Sequence, residues 1–387
     1  MKVKISNLRK YYLYLVLIIL FLSSDSIYGI YYNILTPLKL FVGFACLATI
    51  PFINTKSLLK YILPSIAFSL LFVFICINNH SEFDVWTISL FRMISVYPLI
   101  LLARSNNKSL LEEYSNVIYK ISVLFICIYL AIILFGDVIP YSLVNPSKNL
   151  FQYRNYFGIV FQLQKQSYLF SSVLYRLHGF TWEPGQYQLY LNLALYYFLF
   201  FKEYEKKRIY TLIVSIILTF STMGILILAL QILIKILFFK KGKLFLLAKF
   251  ALAIVIIVAA YSVFREKTLS GSFELRSLDF LNSIEAIKSN FIFGSGIRRF
   301  ETSNGLLSLI ADNGILSIAL LVLGAYKWNK REMSIVGMIE SLLFVVIILL
   351  GLMNEPIQYT AFTFALIWIL LIDHVKKEDL TLRRKRA

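Results

Sequence analysis

Apolar residues in this chain recur in blocks of roughly 17 to 20, separated by short polar segments, and that spacing limits the available folds more than any other feature. A helix of that length covers about 30 Å of hydrocarbon, where only a segment that satisfies its own backbone hydrogen bonds is tolerated. About twelve blocks are present, at 11–22 (running toward 28), 34–53, 59–77, 84–103, 117–136, 186–201, 207–221, 223–239, 244–264, 306–325, 335–352 and 357–373. The chain is 59% hydrophobic and only 16% charged, whereas a soluble globular chain is nearer half apolar and about a quarter charged. The expectation is an all-α polytopic membrane protein, with 1–387 forming a single integral membrane domain. The least regular region is 207–239, interrupted at Ser221-Thr222-Met223-Gly224; two short helices are expected there, because one continuous helix leaves the following loops on the wrong sides.

The net charge of +18 invites a nucleic-acid reading, which fails once the charges are located. The segments Lys2 to Lys10, Lys56 to Lys60, Arg104 to Lys120, Lys202 to Arg208, Lys240 to Lys243, Lys327 to Arg331 and Lys376 to Arg386 hold about 25 of the 39 basic residues, while the intervening turns near Ser26, Asn79, Met223 and Asn354 hold none. That alternation is the positive-inside pattern. It predicts an even span count, both termini in the cytoplasm, and the bacterial inner (cytoplasmic) membrane rather than nucleic acid as the setting. The Lys-rich, then apolar, N-terminus is read as an uncleaved first helix, since no small-x-small cleavage site follows it.

Cys46, Cys76 and Cys127 fall inside apolar blocks, where cysteine behaves as a small hydrophobe, so no disulfide framework is expected. His80, His178 and His374 are too widely separated to form a zinc-binding pattern, and no metal site is expected.

Ten of the remaining basic residues lie in two long segments on the other side, 137–185 and 265–305, against the topological bias. Solvated loop surface accounts for Lys148, Arg154, Lys165, Arg265, Lys267 and Lys288. The run Arg176-Leu177-His178-Gly179-Phe180-Thr181-Trp182-Glu183-Pro184-Gly185 differs, because its Gly and Pro punctuation makes a tight approach to the next helix and holds Arg176 and Glu183 at the membrane rim. Glu183 is either favoured there by the helix dipole or acts as a base or sugar-hydroxyl anchor. In the second segment, Gly294-Ser295-Gly296 precedes Arg298 and Arg299. Glycines there would bring backbone donors close to an anion, and guanidinium groups give bidentate contacts to phosphate. With Arg176 and Arg276 they make a candidate site for a lipid diphosphate. The aromatic stretch from Leu150 to Tyr175 fits neither a helix nor a strand period, and it suits the interfacial belt or stacking on sugars. Arg92 stands near the middle of the fourth block, so it faces the bundle interior either as a structural hydrogen-bond donor or as a functional group.

These residues resemble the O-antigen polymerases and ligases of bacterial envelope polysaccharide assembly, over about Arg176 to Gly324. Arg176 to Gly179, followed by a proline before a helix, is similar to the family's first-loop arginine motif. Ser221 to Gly224 is similar to its Ser-Arg-x-Gly helix break, with Thr222 in place of the Arg. Arg276, Ala286 and then Gly294-Ser295-Gly296 are similar to its second loop. The ligases carry a His, then Asn, Ser or Gln, nine residues and a Gly; here Ser303-Asn304 and Gly314 keep the spacing and lose the His, which favours a polymerase over a ligase.

The resemblance implies a GT-C-type helical architecture and a metal-independent glycosyltransferase with no cofactor. Its donor would be a polysaccharide on undecaprenyl diphosphate, its acceptor a second lipid-linked repeat, and a separate chain-length regulator a further partner. Arg176, Arg276 and Glu183 are the expected catalytic residues. Arg298, Arg299, His178, Ser303, Asn304 and Arg92 are the expected substrate-binding ones. The alternatives are a ligase moving glycan to lipid A core or protein, and a flippase or secondary transporter; against the latter, the two halves show no similarity.

Overall fold

The computed structural model describes residues 2–24, 26–53, 55–79, 82–145, 152–163, 166–168, 172–239, 271–297, 304–330, 335–354, 357 and 359–373. The block at 244–264 and the residues Arg298, Arg299 and Ser303 lie outside the described residues. The first five helical elements are α1 (Lys2–Ser23), the short α2 (Ile27–Tyr31), α3 (Leu35–Leu47) with a 3-10 turn at Ile50–Phe52, α4 (Thr55–Asn78) and α5 (Phe83–Ser105). Then come α6 (Leu110–Phe135), α7 (Pro184–Phe201), α8 (Lys206–Leu218) and α9 (Thr222–Phe239). The chain continues through α10 (Gly271–Ser289), α11 (Gly305–Asn313), α12 (Leu316–Lys330), α13 (Ile335–Asn354) and α14 (Ala361–Ile372).

Among the described residues three helices are long and apolar enough to cross a bilayer, over Val85–Ser105, Leu110–Phe135 and Gly337–Asn354, and a bent pair of helices makes a fourth candidate. With several shorter apolar helices around them, the fold is that of a helical membrane protein.

Helix α7 is the axis of the bundle. From Pro184 to Phe200 every residue is buried, and the helix packs on α6, α8, α9 and α13. A helix that is apolar all round is stable only when neighbours cover every face. Part of its polar content is matched between helices: Asn192 Nδ2 shares its two protons among Gln188 O (3.0 Å), Gln188 Oε1 (2.9 Å) and Gly224 O (3.2 Å), and Gln231 Nε2 donates to Asn192 Oδ1 (2.9 Å). Close approach depends on small residues: a Cβ at Gly351 of α13 would lie 2.4 Å from Leu189 Cδ1. Stacking of Tyr190 on Phe362, with centroids 4.1 Å apart, joins α7 to α14.

Two features depart from the expected run of membrane-length helices. The aromatic stretch after 150 forms part of a small antiparallel sheet, with β1 (Ser142–Val144), β2 (Tyr153–Tyr156) and β3 (Val160–Leu163) in the order β1-β2-β3, followed by a separate hairpin of β4 (Gln166–Tyr168) and β5 (Ser172–Leu174). Tyr153 and Phe161 point inward onto Ile27, while Phe157 and Ile159 point out. The mixture of buried and exposed aromatics obscures any period. Second, the block at 306–325 is no single helix: α11 and α12 meet at an angle of 118°. Asn304 caps α11 by accepting from Leu307 N at 3.0 Å, and Gly314 ends it with φ +70°.

Gly314 has a backbone conformation open essentially to glycine alone, and a Cβ there would lie 2.0 Å from Ile292 O. Gly314→Ala is therefore expected to cost at least about 1–3 kcal/mol from backbone strain, read as a lower Tm of the detergent-solubilised protein; an unchanged Tm would contradict the bend.

Candidate functional site

Helix α8 ends at Leu218, and its last carbonyls lack intrahelical donors. Phe220 turns the chain with φ +46°, and Ser221 Oγ accepts from Gly224 N (3.3 Å) to start α9. The orphan carbonyls are met by the first long loop. Leu177 N donates to Leu218 O (2.9 Å), while Arg176 donates through Nε to Thr219 O (2.9 Å) and through Nη2 to Phe220 O (3.3 Å). A cation at a helix C-terminus also meets the negative end of the helix dipole. The carbonyl of Arg176 is held in turn by Gln162 Nε2 of β3 (2.8 Å), so the sheet, the loop and the break form one unit.

Around Arg176 the loop folds tightly. Thr181 Oγ1 shares its one proton between His178 O (2.8 Å) and Glu183 O (2.7 Å), and Ile27 N donates to Phe180 O (3.1 Å), which fastens the loop to the junction of α1 and α2. Gly179, at φ +58°, lets the Tyr187 ring approach to 2.6 Å of where a Cβ would stand. His178 is buried, with Nδ1 2.9 Å from Thr181 O and its ring edge-on to Tyr153 at 5.7 Å. Burial pushes its pKa down to about 4; the Thr181 and Phe161 backbone opposes the shift and the Arg176 charge adds to it. His178 is thus a neutral group.

Glu183 is the N-cap residue of α7, with extended backbone (φ −125°, ψ 141°), and its side chain makes no capping bond to that helix. Tyr153 donates its hydroxyl to Trp182 O. Its hydroxyl pKa is raised chiefly by burial, further by Glu183, and lowered by Arg176. The electrostatics therefore bring Tyr153, Arg176, Glu183 and His178 into one neighbourhood. Tyr153 is a residue the motif reading missed, because nothing in its local sequence distinguishes it from the neighbouring tyrosines.

The second group is built on the other helix break. Arg276 lies in α10, and the chain then returns across the end of α11. Ser295 N donates to Ala311 O (2.8 Å), Gly296 N to Asp312 O (2.9 Å), Gly294 N to Asn290 O (2.8 Å) and Ile315 N to Phe291 O (2.9 Å). Asn79 Nδ2, at the end of α4, bridges Phe293 O (3.1 Å) and Asp312 O (2.9 Å). This corrects the role given to Gly294-Ser295-Gly296: its backbone donors are spent on carbonyls rather than presented to an anion. The glycine is needed for contact, since a Cβ at Gly294 would lie 2.4 Å from the carbonyl of Asp312. Asn304 is the helix cap described above, so the nine-residue spacing to Gly314 is the length of α11.

Beside this loop is a buried polar network absent from the sequence reading. Asp312 Oδ2 accepts from Tyr359 OH (2.9 Å) and Ser308 Oγ (3.4 Å), and Asn313 Nδ2 donates to the same Tyr359 oxygen (2.6 Å). Arg92 is buried on α5 and donates through Nη1 to Tyr359 O (2.7 Å). An Asp two residues before Gly314, within an apolar run, was the available signal.

The pH dependence follows from His178. Its folded pKa of about 4 lies below the free value of 6.5, so the unfolded chain takes up the proton first as pH falls. The contribution is complete above the free value and is lost progressively down to the folded one, by about 3 kcal/mol in all. Melting at pH 7 and pH 5 should show a larger acid-induced loss of Tm for the native protein than for His178→Asn; equal losses would contradict a buried neutral histidine.

No family model matches this sequence, and no curated protein and no solved structure matches it either.

Proposed function

We propose that this chain is a glycan polymerase of the O-antigen type, joining undecaprenyl-diphosphate-linked oligosaccharide repeats at the periplasmic face of the inner membrane. In this reading about twelve spans cross in a GT-C-like arrangement with both termini in the cytoplasm, and 137–185 and 265–305 are periplasmic. The observation that supports it best is the Arg176 guanidinium. It is fastened by two carbonyl bonds at a helix break beside His178, Tyr153 and Glu183.

The terminal hydroxyl of the acceptor repeat attacks the anomeric carbon of the donor. A glycosidic C–O bond forms, the bond from that carbon to the diphosphate oxygen breaks, and the hydroxyl proton passes to a base, for which Glu183 is the candidate. Negative charge grows on the departing lipid diphosphate. Fixed cations aimed at it stabilise the transition state without reorganising, each by about 3–4 kcal/mol on the scale of a lost oxyanion donor. Arg176 and Arg276 take that role, with Arg298 and Arg299 assisting. His178 stays uncharged and shapes the loop, and a base adds about 10²–10⁴ in rate. No cofactor enters the scheme. Ser303, Asn304 and Arg92 belong to the surrounding substrate site, and a chain-length regulator is the proposed protein partner.

Deletion of the gene and gel analysis of the envelope glycan test this directly. A single repeat on the core is the expected result; polymer stranded on its carrier lipid would mean a ligase, and no glycan outside would mean a flippase. Arg176→Lys and Arg276→Lys should each abolish chain growth with the protein still present in the membrane. Normal chain length in both variants would remove the arginine clamp, and normal polymer in Glu183→Gln would remove Glu183 as base.

A further inference from the structure

The β2–β3 hairpin carries a tip that the functional reading leaves unused. Its turn, Tyr156-Phe157-Gly158-Ile159, has two consecutive left-handed residues, Phe157 at φ +57° and Gly158 at φ +72°. Ile159 N donates to Tyr156 O (3.1 Å) to close this tight turn inside a three-residue loop, since Tyr156 pairs with Val160; Asn or Asp is usual before the glycine in a turn with two left-handed residues. Here the position holds Phe157, which is 75% exposed, and Ile159 is 69% exposed. No Lys, Arg, Asp or Glu occurs from Asn155 to Gln162. A bulky residue in the left-handed region is unfavourable locally, and an aromatic ring in water is unfavourable again.

The position of the tip in the fold identifies what covers it. Helices α1 and α6 both end on the side where the sheet sits, and the sheet is fastened to both rims. On one flank, Tyr28 OH donates to Ile159 O (3.0 Å), Tyr32 OH to Gly158 O (2.6 Å) and Asn155 Nδ2 to Tyr31 OH (3.3 Å), all at the α1–α3 connection. On the other, Tyr156 OH donates to Gly136 O (3.1 Å) at the end of α6, and Arg154 pairs with Asp137 (2.6 Å). The tip therefore lies level with the ends of these two apolar helices. Tyr32 and Ile34 in the connection that the tip bonds to, and Leu40, Phe41 and Phe44 of the apolar helix α3 that follows it, are exposed as well. Tyrosines with their hydroxyls bonded at a membrane rim are the usual interfacial arrangement.

We infer that the β2–β3 hairpin is a lipid anchor, with Phe157 and Ile159 inserted into the headgroup and acyl boundary of the leaflet at that end of the helices. The inference rests on the chain being a membrane protein and is independent of the polymerase reading. It assigns the hairpin a task as well: Gln162, on the same hairpin, holds the carbonyl of Arg176, so seating the tip in lipid fixes that arginine at headgroup depth.

The test is site-directed spin labelling of the full chain in phosphatidylethanolamine and phosphatidylglycerol nanodiscs. Cys127, the one exposed cysteine among the three, is replaced by serine, and Cys46 and Cys76 are buried. Nitroxides are attached at Phe157→Cys and Ile159→Cys, with Phe44→Cys as the lipid reference and Asn107→Cys as the water reference. Power saturation with oxygen and with a nickel chelate should give positions 157 and 159 an oxygen-to-nickel ratio like that at 44 and several-fold above that at 107. A ratio like that at 107 would place the tip in water and overturn the proposal. Shielding from both reagents would mean that protein covers the tip, and would overturn it equally. Both labelled side chains are exposed, so the substitutions leave the packed core untouched.

Discussion

Hydrocarbon donates no hydrogen bonds, so wherever a helix of this chain breaks near the membrane, the freed carbonyls must find donors within the protein. Among the described residues the breaks after Leu218 and after Asn313 are each met by one of the two long loops. At the first, Leu177 N and the Arg176 guanidinium take the carbonyls of Leu218, Thr219 and Phe220. At the second, Ser295 N and Gly296 N take those of Ala311 and Asp312. The breaks would be costly without the loops.

That pairing explains why the notable residues of the chain lie where they do. A guanidinium used as a helix cap is immobilised, and in the proposed reading that fixed cation meets the phosphates of a lipid carrier. The buried network of Asp312, Tyr359 and Asn313, with Arg92 bonded to the Tyr359 carbonyl, stiffens the second break in the same way. It ties α5, α11 and the start of α14 around one carboxylate.

Much of the helical framework was legible because hydropathy is a local property. The helix pair at 207–239 was readable from the Ser221 to Gly224 interruption, and the structure gives it a mechanism in the Ser221 hydroxyl that receives Gly224 N. The burial of Arg92 followed from its place in an apolar block. Three things were hidden for physical reasons. The small sheet has strands of three or four residues whose buried and exposed aromatics do not alternate cleanly. The bend at Gly314 depends on a positive φ and on contact with Ile292, far from anything a hydropathy window registers. Gly294-Ser295-Gly296 reads as an anion nest until its donors are traced to α11, and the Tyr359 partner of Asp312 is 47 residues away.

The central claim is that the outer loop arginines serve glycan transfer between lipid carriers. It is tested most directly by reconstituting the purified full chain into liposomes with undecaprenyl-diphosphate-linked repeats and following product length by gel and mass spectrometry. The account predicts a ladder of lipid-linked oligomers, free undecaprenyl diphosphate released in step with each bond formed, and unchanged turnover in excess EDTA. Repeats that stay monomeric beside correctly folded protein, or a ladder that persists undiminished when Arg176 and Arg276 are both lysine, would contradict it.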